Sequence, residues 1–150
     1  MLGATARWWR RRSRVTRIGL LVGVALVLLL GVNVWLQQQP PRPDAMQVRR
    51  DVRAGQSNVE VTFVGRVAAD PTKVGDHERI LVQDRLGDTI ELDYNTDLGQ
   101  WVPAHEGDSL LIHGQLYVDP GRAGVHCLHS ETSRGCPYPG WITYGSTTYS

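Results

Sequence analysis

From Ile18 the chain runs for nineteen residues, IGLLVGVALVLLLGVNVWL, without a charge. No other segment so narrows the folds open to this chain. At ~1.5 Å of helix rise per residue the run reaches roughly 28 Å, close to the ~30 Å hydrocarbon core of a bilayer. It is apolar all round rather than along one stripe, which does not suit a helix lying on a soluble core. Six arginines and no acidic residue precede it, and a basic flank of this kind stays cytoplasmic and sends the downstream chain across the membrane. Trp8 and Trp9 before the run and Trp35 near its end fit interfacial anchoring. The alternative is a cleaved signal peptide, whose apolar core is only about 7–15 residues long. No small-x-small cleavage site comes after the run; the chain continues QQQPPRP instead.

The expected organisation is a basic cytoplasmic tail at 1–17, a transmembrane helix at 18–36, an extended linker at 37–57 and an extracytoplasmic domain at 58–150. The linker reading rests on the Gln, Pro and Arg content of 37–57. The overall charge of +1 hides an asymmetry: six of the 16 basic residues and none of the 15 acidic ones precede Ile18, which leaves the remainder at −5. An acidic domain argues against nucleic acid as a partner, because most of that affinity comes from neutralising phosphates. The lipid bilayer is the expected partner of the arginine-rich end.

Beyond Asn58, period-two alternation dominates. Val59, Val61 and Phe63 alternate with Glu60 and Thr62, and Gly65 allows a bend before Val67. Ile80 and Val82 lead through Leu86-Gly87-Asp88 to Ile90, Leu92 and Tyr94, a strong hairpin pattern. Leu110, Ile112, Leu116 and Val118 form a fourth strand, and Asp119-Pro120-Gly121-Arg122 turns the chain into Val125 and Cys127. Five strands, with a long bent first one and a longer third-to-fourth connection, describe a mainly β domain: a small OB-like barrel with a C-terminal β extension, preceded by the single transmembrane helix. A sandwich is the structural alternative. The connection from Thr96 to Gly107 is expected to carry a short helix, with Leu98, Trp101 and Val102 capping the barrel. Asn95 and Asp97 suit a turn there, and His113 is expected to face solvent from the fourth strand.

Several short motifs occur in order: His77-Glu78-Arg79, Asn95-Thr96-Asp97-Leu98, Val102-Pro103, Gly107-Asp108, Gly114-Gln115-Leu116-Tyr117, then His126-Cys127-Leu128-His129 and Gly140-Trp141-Ile142. In this the chain resembles the bacterial domain-of-unknown-function family 3465, known for an HWTHH motif followed by Gly-Trp-Ile. His126 and His129 hold the first and fourth motif positions, while Cys127, Leu128 and Ser130 stand in the other three. The resemblance is to a bacterial family and implies an OB-like fold over roughly residues 58–149; the anchor makes the expected setting a bacterial inner (cytoplasmic) membrane. The resemblance brings no activity.

Cys127 and Cys136 are the only cysteines. On the outer side of the membrane they are expected to form a disulfide, which at this spacing is worth about 2.7 kcal/mol in the chain-entropy model. The competing reading is a metal site, since His126, His129 and both cysteines are acceptable zinc or copper ligands. His77, Asn95 and Asp97 complete a candidate ligand or metal constellation with His126 and His129. No phosphate loop, zinc-protease helix or nucleophile elbow is present. The leading functional expectation is therefore a non-enzymatic, membrane-anchored binding or accessory module, with no cofactor, serving a small ligand or a membrane-protein assembly. The alternative is a metal-dependent hydrolase or a zinc, copper or haem carrier using the C-terminal His/Cys cluster.

Overall fold

The structure is a computed structural model and describes residues 14–37 and 39–150. The arginines before Arg14, together with Trp8 and Trp9, lie outside the described residues. Two units make up the chain, Met1–Pro40 and Pro41–Ser150.

In the first unit, helix α1 spans Arg14–Gln37. Its Ile18–Trp35 stretch is long and apolar enough to cross a membrane, and none of it is buried against protein.

The second unit is a closed barrel. Its strands, in chain order, are β1 (Val59–Val67), β2 (Thr72–Val74), β3 (His77–Asp84), β4 (Thr89–Asn95), β5 (Ser109–Asp119), β6 (Arg122–His126), β7 (Trp141–Tyr144) and β8 (Thr147–Tyr149). Pairing runs β1–β3–β4–β6–β5, and β1 closes the ring on β5. All ring pairs are antiparallel except β4 with β6. The bend expected in β1 falls at Gly65, where the strand leaves β5 for β3 and is paired with both. The β3–β4 hairpin turns at Gly87 and the β5–β6 hairpin at Gly121, each in the left-handed region that glycine tolerates. β2 extends the sheet from β3, and β7 and β8 extend it from β5.

Alternation places Val61, Phe63, Ile80, Val82, Ile90, Leu92, Tyr94, Leu110, Ile112, Leu116 and Val125 in the barrel interior. The same phase carries Glu78 inward, fully buried. The connection 96–107 contains no helix. Of the three residues expected to cap the barrel, Val102 is buried, while Leu98 and Trp101 are exposed; Ala104 is buried beside Val102. The Val102 N–H donates to the buried Glu78 Oε2 at 2.8 Å and so holds residue 102 against the core.

The stretch 37–57 is not uniformly extended. Helix α2 occupies Ala45–Arg53, capped by Asp44, whose side chain accepts the Gln47 N–H. Ala45, Val48 and Val52 recur at helical spacing; the first two are buried and Val52 packs against the core. Arg49 of the same helix donates to Asp88 and to the Leu86 carbonyl. The helix is thereby fastened to the turn of the β3–β4 hairpin.

Candidate functional site

Strand phase that sends Ile80, Leu92 and Leu116 inward sends Arg79, Glu91, Asp93 and Tyr117 to the outer face of the barrel. There Tyr117 of β5 lies across β6 to reach β4: its hydroxyl donates to Asp93 Oδ2 at 2.8 Å and to Glu91 Oε1 at 3.3 Å. The crossing is possible because residue 124 is glycine. A Cβ there would sit 2.3 Å from the Tyr117 ring. Arg79 bridges the same two carboxylates at 3.4 Å each. Arg122 stands 5.7 Å from the Tyr117 ring centroid and 3.4 Å from Glu91. Burial, followed by the hydrogen bond to Asp93, pushes the Tyr117 phenol above its ordinary range, so it is a donor at neutral pH.

Beside this network is a groove of about 380 Å³, lined by Val74, His77, Arg79, Asp93, Tyr117 and His126. The His126 ring meets Tyr117 edge-on at 5.7 Å. Burial depresses the His126 pKa against the opposing pull of Asp93, and His129 adds to the depression. The groove thus presents a guanidinium, a carboxylate, a phenol and two imidazoles within one concavity.

The sequence-predicted constellation divides. His77 and His126 share the groove. His77 lies directly opposite Asn95 in the β3–β4 pairing. Asn95 instead serves its own turn, its Oδ1 accepting the Asp97 N–H at 2.9 Å. Asp97 borders a different hollow, formed with Leu98–Gln100 and the C-terminal Thr147–Ser150. β6 ends at His126, so His126 and His129 are not bound to opposite faces of one strand; each keeps a buried ring nitrogen with no hydrogen-bond partner.

Cys127 and Cys136 are joined, with sulfurs 1.99 Å and Cα atoms 5.4 Å apart. Cys127 adopts a left-handed backbone, φ 54°, at the point where the chain leaves β6. Residues 127–140 then make an excursion and return to the same edge of β5. β6 pairs with β5 up to His126 opposite Gln115, and β7 resumes with Trp141 opposite His113. The two ends of the excursion touch. The Gly140 N–H donates to the His129 carbonyl at 2.8 Å, and a Cβ on Gly140 would fall 1.9 Å from the Cys127 carbonyl oxygen.

This excursion also buries His113, which the sequence placed in solvent. The strand phase with Gln115 and Tyr117 holds, but this part of the face is covered by Trp141, 5.4 Å away ring to ring, and by the loop at Pro137–Pro139. His113 Nδ1 pairs with Thr62 Oγ1 at 2.8 Å, and Nε2 stands 3.3 Å from Glu60.

Sequence reasoning quoted Glu78, Arg79 and Tyr117 only as motif members; it missed Tyr117 and Arg79 as partners and gave Glu78 no role. Burial raises the Glu78 pKa to about 7, against the lowering effect of the Val102 N–H. Its Oε1 and the hydroxyl of Tyr94, its cross-strand neighbour, are both buried without a hydrogen-bond partner. The signal was the phase of β3, in which position 78 shares a face with Ile80 and Val82. A scan against protein-family models finds no match for this chain, and no curated protein is significantly similar to it.

Proposed function

We propose that this chain is a membrane-tethered binding module. In this reading α1 is an uncleaved signal anchor in a bacterial inner membrane, and the barrel stands on the outer side. It takes a small polar ligand in the groove between His77, Arg79, Asp93, Tyr117 and His126. The observation that carries the reading is the groove's position and chemistry. It lies across barrel strands on the outer face, as OB-type recognition sites do, and its donors and acceptors converge around a phenol held by a carboxylate. The −5 balance beyond the arginine-rich segment favours a ligand that is not polyanionic. Tethering limits an accessory role to assemblies in the same membrane.

Amide NMR of the 41–150 unit titrated with a chemically varied set of amino acids, sugars and polyamines tests the groove. A ligand should shift resonances of His77, Asp93, Tyr117 and His126, and Arg79→Ala should abolish the shifts. Binding that leaves these residues unperturbed, or a set in which nothing binds, rejects it. For the topology, a reporter enzyme active only outside the cytoplasm, fused after Ser150, should be active; a silent reporter with an active cytoplasmic counterpart rejects the outward barrel.

A further inference from the structure

Among the described residues, one group of side chains brings three metal-ligating atoms together: a ring nitrogen of His126 and the sulfurs of Cys127 and Cys136, all within 4.8 Å of one another. In the oxidised chain the sulfurs are spent on each other. The imidazole beside them is not spent, since its Nε2 is buried and has no hydrogen-bond partner. A buried polar atom left unpaired carries a cost of about 1–3 kcal/mol, and the imidazole that bears it lies beside two potential thiolates. Gln115 Oε1, 3.6 Å from the Cys127 sulfur, borders the same point.

We propose that reducing the Cys127–Cys136 bond converts this corner into a site for a thiophilic closed-shell cation, zinc(II) or copper(I), held by His126, Cys127 and Cys136. Two thiolates and an imidazole are the donor set such ions favour, and three protein ligands leave a fourth position open on zinc. Little movement is needed. Zinc–sulfur bonds of ~2.3 Å at a tetrahedral angle put the two sulfurs about 3.8 Å apart. The Cα separation of 5.4 Å permits that by side-chain rotation. Cys136 is half-buried while Cys127 is buried, so Cys136 is the sulfur open to attack.

The reductant is a dithiol. One of its thiolates attacks Cys136, forming a mixed disulfide and releasing the Cys127 thiolate. Its second thiol then closes onto the first, the donor leaves as a disulfide, and both protein sulfurs have gained an electron. Binding of the cation displaces the thiol protons to solvent. The inference does not rest on what occupies the Tyr117 groove, although His126 borders both.

The test loads the full chain, in detergent micelles, with zinc or copper(I) before and after a phosphine reductant, followed by gel filtration and elemental analysis. Cobalt(II) is added as a spectroscopic probe. The reduced chain should retain one zinc or copper(I), and its cobalt form should show thiolate charge-transfer and tetrahedral d–d absorption. The oxidised chain should retain none. His126→Gln should weaken retention by at least about tenfold, the loss that even an outer-shell partner can bring. A reduced chain that holds no metal, an oxidised chain that holds as much, or an indifferent His126→Gln overturns the proposal. Should reduction unfold the domain, circular dichroism decides: refolding by one equivalent of zinc supports the site, and failure to refold overturns it.

Discussion

The hydroxyl of Tyr117 donates to Asp93 at 2.8 Å across the whole width of strand β6, over the one position, Gly124, that carries no side chain to block it. Three strands are thereby tied on the outer face by a group that the interior does not need. Tyr117→Phe should lower the unfolding free energy by about 1.5–3 kcal/mol, as expected for losing a hydrogen bond to a charged acceptor. Gly124→Ala should cost about 1–3 kcal/mol through overpacking. In a Tyr117→Ala background the cost of Gly124→Ala should largely vanish, a coupling that urea unfolding of the four variants measures directly.

Glu78 predicts a pH dependence. Its folded pKa, about 7, lies above the ordinary value of 4.5. The folded state therefore holds a proton that the unfolded state has released between those two values. Stability is greatest below the lower one and falls as pH rises through the window. The full shift corresponds to about 3 kcal/mol, an upper bound on what this one group contributes. Glu78→Gln keeps an acceptor for the Val102 N–H and should flatten this slope. Urea midpoints at several pH values between about 4 and 8 check it; an unchanged slope in the variant refutes the assignment.

Helix α2 should behave as part of the domain rather than as tether. Val48 is fully buried. Val48→Ser should cost about 2–3 kcal/mol, from lost apolar burial and a hydroxyl placed in the core. Arg49→Ala should cost clearly less, because ion pairs between half-exposed side chains are weak. A chain that begins at residue 58 should melt well below one that begins at residue 41, as monitored by circular dichroism.

Much of the barrel was legible because its strands obey one rule. With Val61, Ile80, Leu92 and Leu116 inside, the outward phase of Arg79, Asp93 and Tyr117 is set, and Gly87 and Gly121 mark the two hairpins. Legibility failed where a residue's fate depends on what another segment lays over it. His113 sits on the predicted face, but no periodicity says that the 127–140 excursion returns above it. Of the expected cap only Val102 is buried, its N–H bonded to Glu78, while Trp101 beside it is exposed. The helical stripe of Ala45, Val48 and Val52 was present, but surrounding Pro, Arg and Gln masked it. The Tyr117 groove assembles side chains from β2, β3, β4, β5 and β6, so no local motif announces it.

The 127–140 excursion leaves β5 opposite Gln115 and rejoins it opposite His113, one position, Gly114, being skipped, so in topological terms it is a blister on an otherwise continuous rim. One residue opposite Gly114 would suffice to join residue 126 to residue 141 with the β5–β6 and β5–β7 registers kept. Apart from Leu128, which is buried in the barrel core, the segment bearing both cysteines and His129 is thus exchangeable for another of different length or chemistry without rewriting the fold that carries it. The barrel serves as a chassis, and the blister is where a relative of this chain can diverge most cheaply.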